Sequence, residues 1–126
     1  MSALVIDTSS WISYFAGHGS PHIDEALNEG RVFIPLVVAA ELISGTLSKQ
    51  DQCRLESIIQ NLPSCGNDVA HWLRVGKLRA RLRTHGFSIS TPDAHVAQCT
   101  LDLGGALLTE DAIFKKIATH ARLTVL

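Results

Sequence analysis

The chain has 126 residues, of which 46% are hydrophobic and 18% charged, and its formal net charge is -1. Those totals fit one folded domain over residues 1–126 and exclude a disordered polyelectrolyte. Near-neutral charge also excludes nucleic-acid binding by bulk basicity, so any such contact must come from a local patch.

Residues 3–6, "ALVI", stop at Asp7 and read as a buried parallel strand, apolar on both faces. "DTSSWISYFAG" follows, with Thr8, Ser9 and Ser10 as capping residues and Gly17 as terminator of a first helix. Ser20 and Pro21 open a second helix that ends at Gly30. "RVFIP" is the next strand, and "LVVAAELISG" a helix over roughly 36–45. Ser48 caps a fourth helix running toward Pro63, and a weak strand is expected near 63–66. Asp68 caps a long helix ending near Gly86, and Ser90 or Thr91 caps another, with Pro92 in its first turn. "GALLT" is a strand, "DAIFKKIATHA" a helix and "RLTVL" a last strand. Alternating short strands and helices predict an α/β fold, a mainly parallel sheet covered by helices on both faces. No apolar run approaches the ~18 residues needed to span a bilayer, and "MSALVID" lacks an early Lys or Arg. We therefore expect a cytoplasmic protein with no membrane segment.

Glu41 stands out because its immediate neighbours are apolar, and a lone buried carboxylate costs several kcal/mol unless paired. Asp7 ends the first strand, Asp111 follows the "ALLT" strand, and Asp93 opens a helix at a strand-to-helix junction. In open parallel sheets ligands gather outside the carboxyl ends of the strands. Four acids from four separated segments can therefore converge there. Such a cluster is stable only if some acids are protonated or a cation neutralises them. Oxygen-only ligation suits a hard cation, Mg²⁺ or Mn²⁺, able to activate water for hydrolysis of a phosphodiester. The hydroxyls of Thr8, Ser9 and Thr109 lie beside the acids and could orient them. Taken singly, each Asp also reads as an ordinary cap or turn residue. Other acids, Asp102 among them, read as solvated surface. Cys53, Cys65 and Cys99 form no CxxC pair and read as small buried residues, and a zinc site is not expected.

These segments resemble the PIN-domain ribonucleases, in particular the VapC-type toxins of bacterial toxin–antitoxin pairs. "LVIDTSSWI" is similar to the family's opening motif, with Asp7 as its acid, and "IPLVVAAELISG" to the second, with Glu41. "STPDAHVAQC" resembles the third, with Asp93, and "LLTEDAIF" the fourth, with Thr109, Asp111 and Phe114. Ile113 stands where family members often carry a second Asp, and His95 where an aliphatic residue is common. The resemblance covers nearly the whole chain. It implies a three-layer α/β/α domain around a five-stranded parallel sheet and a Mg²⁺- or Mn²⁺-dependent endoribonuclease acting on tRNA, rRNA or mRNA. It also implies a homodimer, neutralised by a cognate VapB-type antitoxin.

Arg74, Lys77 and Arg81 share one face of the long helix, and Lys115 and Lys116 follow Asp111; these are the candidate RNA contacts. That long helix carries two apolar stripes, Val69/Trp72/Leu73/Gly76/Ala80 and Val75/Leu78/Leu82, one for its own core and one available to another chain. Trp11, Tyr14 and Phe15 recur at helical spacing and read as core or as a groove for a partner. His95 reads as a partly buried helix residue, with an RNA or metal-shell role as the alternative. A phosphoacceptor receiver domain of the same length is the rival reading. It expects paired acids after the first strand, an acid ending the third and a Lys after the fifth. Here Thr8 follows Asp7, and neither of the others is present. Haloacid-dehalogenase-type phosphatases need an Asp where Ser9 stands, and no GxSxG elbow supports a serine hydrolase.

Overall fold

Leu4, Val5 and Ile6 form strand β1, and all three are buried, as a central parallel strand requires. In the computed structural model, which describes residues 2–45 and 48–126, Asp7 itself caps the first helix: its side chain accepts from the Ser10 amide. The expected caps, Thr8 to Ser10, lie inside the first turn instead. Helix α1 (Thr8–Ser13) continues into a π-helical stretch, Tyr14–His18, and α2 spans Pro21–Asn28 behind its Ser20 cap. Strand β2 (Val32–Pro35) leads directly into α3 (Leu36–Ile43). Helix α4 (Lys49–Gln60) starts at Ser48, whose hydroxyl accepts from the Asp51 amide. The weak strand is the two-residue β3, Ser64–Cys65. Helix α5 (Val69–Thr84) starts at the Asp68 cap, and α6 (Thr91–Leu103) at Ser90 rather than Thr91. Strand β4 (Ala106–Leu108), α7 (Ile113–Ala118) and β5 (Thr124–Val125) complete the described chain. Helix α7 starts two residues later than expected, because Asp111 accepts from the Ile113 amide and so closes a turn ahead of it.

The sheet is entirely parallel, in the order β3-β2-β1-β4-β5. Connections from β1 run outward through β2 to β3, then cross back over β1 to β4. The strand order therefore reverses beside β1, and the crevice at such a reversal is where open α/β sheets bind ligands. The amide of Asp7 donates to the Leu108 carbonyl, which keeps the ends of β1 and β4 level.

Helices α5 and α6 make the most extensive helix pairing, and α6 also packs on β1, β2 and β4. Val75, Leu78 and Leu82 are buried, and each fully buried Leu is worth about 1.5–3 kcal/mol. Of the other stripe, Val69 and Leu73 are 74% and 61% exposed. The two-stripe reading of α5 therefore holds: one stripe fills the core and the other is mostly bare. Trp11 is core, T-shaped against Tyr14 and stacked on Phe15, which is itself exposed.

Candidate active site

Asp7 is 6% exposed, and its carboxylate is held from three sides. Oδ1 accepts from the Ser9 hydroxyl at 2.7 Å and from the Ser10 amide at 3.2 Å; Oδ2 accepts from the Thr109 hydroxyl at 2.6 Å. Neutral hydroxyls and an amide satisfy the oxygens without supplying positive charge. Ser9 and Thr109 in turn accept from the amides of Glu110 and Asp111, so the loop after β4 is tied to the start of α1. Ser13 reinforces this tie by donating to the Glu110 carboxylate.

Glu41 corrects the expectation drawn from its neighbours. Val38 and Leu42 point into the core, but Glu41 lies on the exposed side of α3 and is not a buried charge. Its Oε1 accepts from the Thr8 hydroxyl at 2.7 Å. The three hydroxyls singled out beside the acids thus all hold a carboxylate.

Asp93 is half-buried in the first turn of α6, where its amide donates to the Ser90 hydroxyl. Burial pushes its carboxyl above the usual range, and Ser90 pulls the other way. The charges of Asp111, Glu41 and Asp7 then add to the rise. One carboxylate feeling the other three is the mark of a convergent cluster. The structure therefore brings Asp7, Glu41, Asp93 and Asp111 to the crevice at the ends of β1 and β4. Among the described residues no Lys, Arg or His forms an ion pair with any of the four. An all-oxygen, like-charged, part-exposed donor set of this kind fits a hard divalent cation. The four acids are the residues that could hold one.

The candidate RNA contacts are not gathered with the acids. Lys115 and Lys116 lie exposed in the last turn of the short α7. Arg74, Lys77 and Arg81 line a shallow pocket of about 300 Å³ with Gln98 and Leu101. Those positions lie five and eight residues beyond Asp93 on α6, about 8 and 12 Å at helical rise. Arg74 is also bound: its guanidinium makes two 2.9 Å hydrogen bonds to the Asp102 carboxylate. Asp102 is therefore not the solvated acid expected. It also accepts from His71 and Gln98, and its side chain is 24% exposed. Burial alone would raise its pKa, but these hydrogen bonds bring it down to about 2.

Beside Glu41 lies a groove of about 430 Å³, lined by Ile12, Phe15, Leu42 and Leu55 with Arg54 at its edge. Phe15, exposed at 42%, is the aromatic that sequence spacing left between core and groove. The residues sequence reasoning missed are Ser90, visible only as a cap, and the Asp102–Arg74 pair, which joins two helices and has no local signal.

A family model described as "PIN domain" matches residues 4–119. A VapC ribonuclease of Mycobacterium bovis and ribonuclease VapC11 of Mycobacterium tuberculosis are each 31% identical over 122 residues, covering 91% of both chains. Among solved structures, the chain is similar to DNA-bound VapBC from Salmonella typhimurium, with a TM-score of 0.78 and 22% identity over 100% of this chain and 98% of that one. VapBC2 from Rickettsia felis, bound to a promoter DNA fragment, gives 0.77 and 19% over 98% and 97%. At these identities the solved structures speak to the fold.

Proposed function

Because the chain belongs to the PIN-domain family, and within it to the relatives of the VapC ribonucleases, we propose that it is a divalent-metal-dependent endoribonuclease, the toxin of a toxin–antitoxin pair. The observation that carries this reading is the convergence of four carboxylates, without a protein cation among the described residues, where the strand order reverses.

Asp7, Glu41, Asp93 and Asp111 would hold Mg²⁺ or Mn²⁺. When bound, such a cation activates water and neutralises charge on a phosphoryl oxygen. The chain's own residues supply orientation. Thr109, Ser9 and the Ser10 amide fix both oxygens of Asp7, and Thr8 fixes one oxygen of Glu41. Geometry set before substrate arrives costs no reorganisation during reaction. Burial and the charges of Asp111, Glu41 and Asp7 raise the cost of ionised Asp93, and a bound cation would offset that cost. Lys115 and Lys116, exposed on the helix after Asp111, are the lysines best placed in sequence to meet a phosphate backbone. Hydrolysis of an RNA phosphodiester at this site leaves a 5′-phosphate. The substrate is tRNA, rRNA or mRNA.

The apolar groove beside Glu41 supports a VapB-type antitoxin as partner: an apolar segment laid along Phe15, Leu42 and Leu55 would cover the approach to the acids. Val69 and Leu73 support a homodimer through the bare stripe of α5, and a monomer mass at micromolar concentration would refute that. Among the described residues no helix is long and apolar enough to cross a membrane. The rival receiver reading is disfavoured by the strand order, which differs from the 2-1-3-4-5 order of flavodoxin-like receivers, and by β3, which is Ser64–Cys65 with no acid at its end.

Incubating the protein with tRNA and rRNA fragments tests the reading. Cleavage should require Mg²⁺ or Mn²⁺, stop on adding chelator and disappear in Asp7→Asn. Equal cleavage by wild type and Asp7→Asn, or cleavage that survives chelation, overturns it.

A further inference from the structure

A second constellation lies inside the molecule, unconnected with the carboxylates in composition. His71 on α5 and His95 and Cys99 on α6 are buried, at 2%, 0% and 0% exposure, and their donor atoms all lie within 4.8 Å of one another. His71 Nε2 is 2.8 Å from His95 Nδ1, and Cys99 Sγ is 3.9 Å from each of those nitrogens. The point equidistant from three atoms so spaced lies about 2.1 Å from each, against about 2.0–2.1 Å for a Zn–N bond and about 2.3 Å for Zn–S. Cys65, buried at the end of β3, neighbours Cys99 and pushes its thiol up, and so offers a second sulfur beside the cluster.

The surroundings are those of a metal-ligating histidine. Asp102 accepts from His71 Nδ1–H at 2.8 Å, which leaves Nε2 unprotonated and aimed at the cluster. Arg74 and Gln98 hold Asp102 in turn. Trp72 stacks flat on the His95 ring, 4.4 Å between centroids, and anchors to the Gly66 carbonyl through its indole N–H. Gly66 has φ +87°, and a Cβ there would stand 2.3 Å from His95 Cε1, so the turn after β3 is pressed against the cluster. Without a cation the groups satisfy one another: the Val37 amide donates to His95 Nε2 at 3.4 Å, His95 donates to His71, and His71 donates to Asp102. Burial, then the neighbouring His71, push the His95 imidazole down, to about 4.

We propose that His71, His95, Cys99 and Cys65 form a site for a soft divalent cation, zinc, that clamps β3 and α5 onto α6. Binding releases one proton from each thiol, and the His95 proton moves from Nδ1 to Nε2. The product is one Zn²⁺ with two thiolates and two neutral imidazoles, a set with no net charge and therefore tolerable in a core. The long Val37 hydrogen bond and the His95–His71 hydrogen bond are given up in exchange. The site is separate from the hard-cation crevice by ligand chemistry: nitrogen and sulfur here, oxygen there.

The test uses Co²⁺ as probe, on reduced full-length protein carrying Cys53→Ser, because Cys53 is the exposed thiol. Excess Mg²⁺ occupies the carboxylates. One equivalent of Co²⁺ should give a thiolate-to-cobalt charge-transfer band and tetrahedral visible bands, and Zn²⁺ should displace it. The bands should persist in Asp7→Asn, so that failure of the nuclease reading and failure of this one are distinguishable. They should vanish in Cys99→Ser and weaken in Cys65→Ser, with circular dichroism reporting the fold. Asp102→Asn should weaken Zn²⁺ affinity at least about tenfold. No charge-transfer band in the parent protein, or unaltered bands in either folded cysteine variant, overturns the proposal.

Discussion

Helix α6 carries two constellations built on opposite terms. At its amino end Asp93 meets Asp7, Glu41 and Asp111, like charges in a part-open crevice with no protein cation paired to them among the described residues. Two and six residues further along, His95 and Cys99 meet His71 and Cys65 in a closed interior where the hydrogen-bond donors and acceptors are matched. In the first arrangement the neighbouring charges oppose ionisation of Asp93, a cost that a bound cation would offset. The second is hydrogen-bonded within itself, so it contributes to the fold with or without a metal. Residual strain of this kind, held in place by neighbouring hydroxyls, is what a functional site shows and a packing cluster does not.

Substitutions that separate the two constellations should break this contrast if it is wrong. The largest effect belongs to Asp93→Asn. Removing one preorganised charged group should cost about 10²- to 10³-fold in RNA cleavage. Stability should move the other way. The folded-state pKa of Asp93 is raised, so the folded chain binds more protons than the unfolded one, and stability falls as pH rises through and above the ordinary aspartate range. Asn cannot ionise, so in chelator at neutral pH the variant should unfold at equal or higher temperature than wild type. A lower melting temperature with activity intact would reverse the assignment of the two regions.

Gly66→Ala probes the interior constellation without replacing any of its polar side chains. The residue adopts φ +87° and the new methyl would meet the His95 ring, so the chain must shift at a position already unfavourable for an L side chain. Urea unfolding should show a loss of about 2–3 kcal/mol with unchanged cooperativity, and Mg²⁺-dependent cleavage per folded molecule should stay within a few-fold of wild type.

Much of this arrangement was legible in the sequence because its determinants are local. Ser20 before Pro21, Ser48, Asp68 and Ser90 are caps readable from a few residues, and "LVI" could only be a strand buried on both faces. Asp7 and Asp111 were placed by the rule that parallel strands gather sites at their carboxyl ends. What failed was decided by packing between segments. Glu41 reads as buried from its neighbours, yet α3 turns Val38 and Leu42 inward and leaves Glu41 on the rim. Asp102 reads as surface, yet α5 delivers Arg74 and His71 to it. His95 is fully buried rather than partly, Cys65 and Cys99 are core, and Cys53 is exposed against expectation. The one available hint was the spacing of His95 and Cys99, four residues apart and so on one helical face, which a search for paired histidines passes over.

Asp102→Asn should cost less than Gly66→Ala, about 1–2 kcal/mol at neutral pH, because the amide keeps one good acceptor for Arg74 but presents N–H groups where His71 and Gln98 donate. The pH dependence identifies the cause. Hydrogen bonds lower the folded pKa of Asp102 from 3.8 to about 2, so its stabilisation is present above the unfolded value and is lost as pH falls through that window. The wild-type and variant melting temperatures should converge between pH 4 and 2. Parallel curves across that range would mean the carboxylate's charge contributes nothing.

Thr8→Val is the smallest change and the sharpest on the crevice. It removes one hydroxyl, 2.7 Å from Glu41 Oε1, and preserves volume on a helix whose first turn is already capped by Asp7. Glu41 is exposed, so losing the bond exposes no buried charge and stability should change by less than about 0.5 kcal/mol. Its carboxylate is then free to rotate away from Asp7, Asp93 and Asp111. If orientation by neighbouring hydroxyls matters, the Mg²⁺ concentration for half-maximal cleavage should rise about tenfold, with the maximal rate nearly restored at saturating Mg²⁺. A fall in maximal rate at unchanged Mg²⁺ dependence would assign Thr8 to the substrate. No change in either would make the Thr8–Glu41 hydrogen bond incidental, and the preorganisation of the crevice would then rest on Ser9, the Ser10 amide and Thr109 holding Asp7 alone.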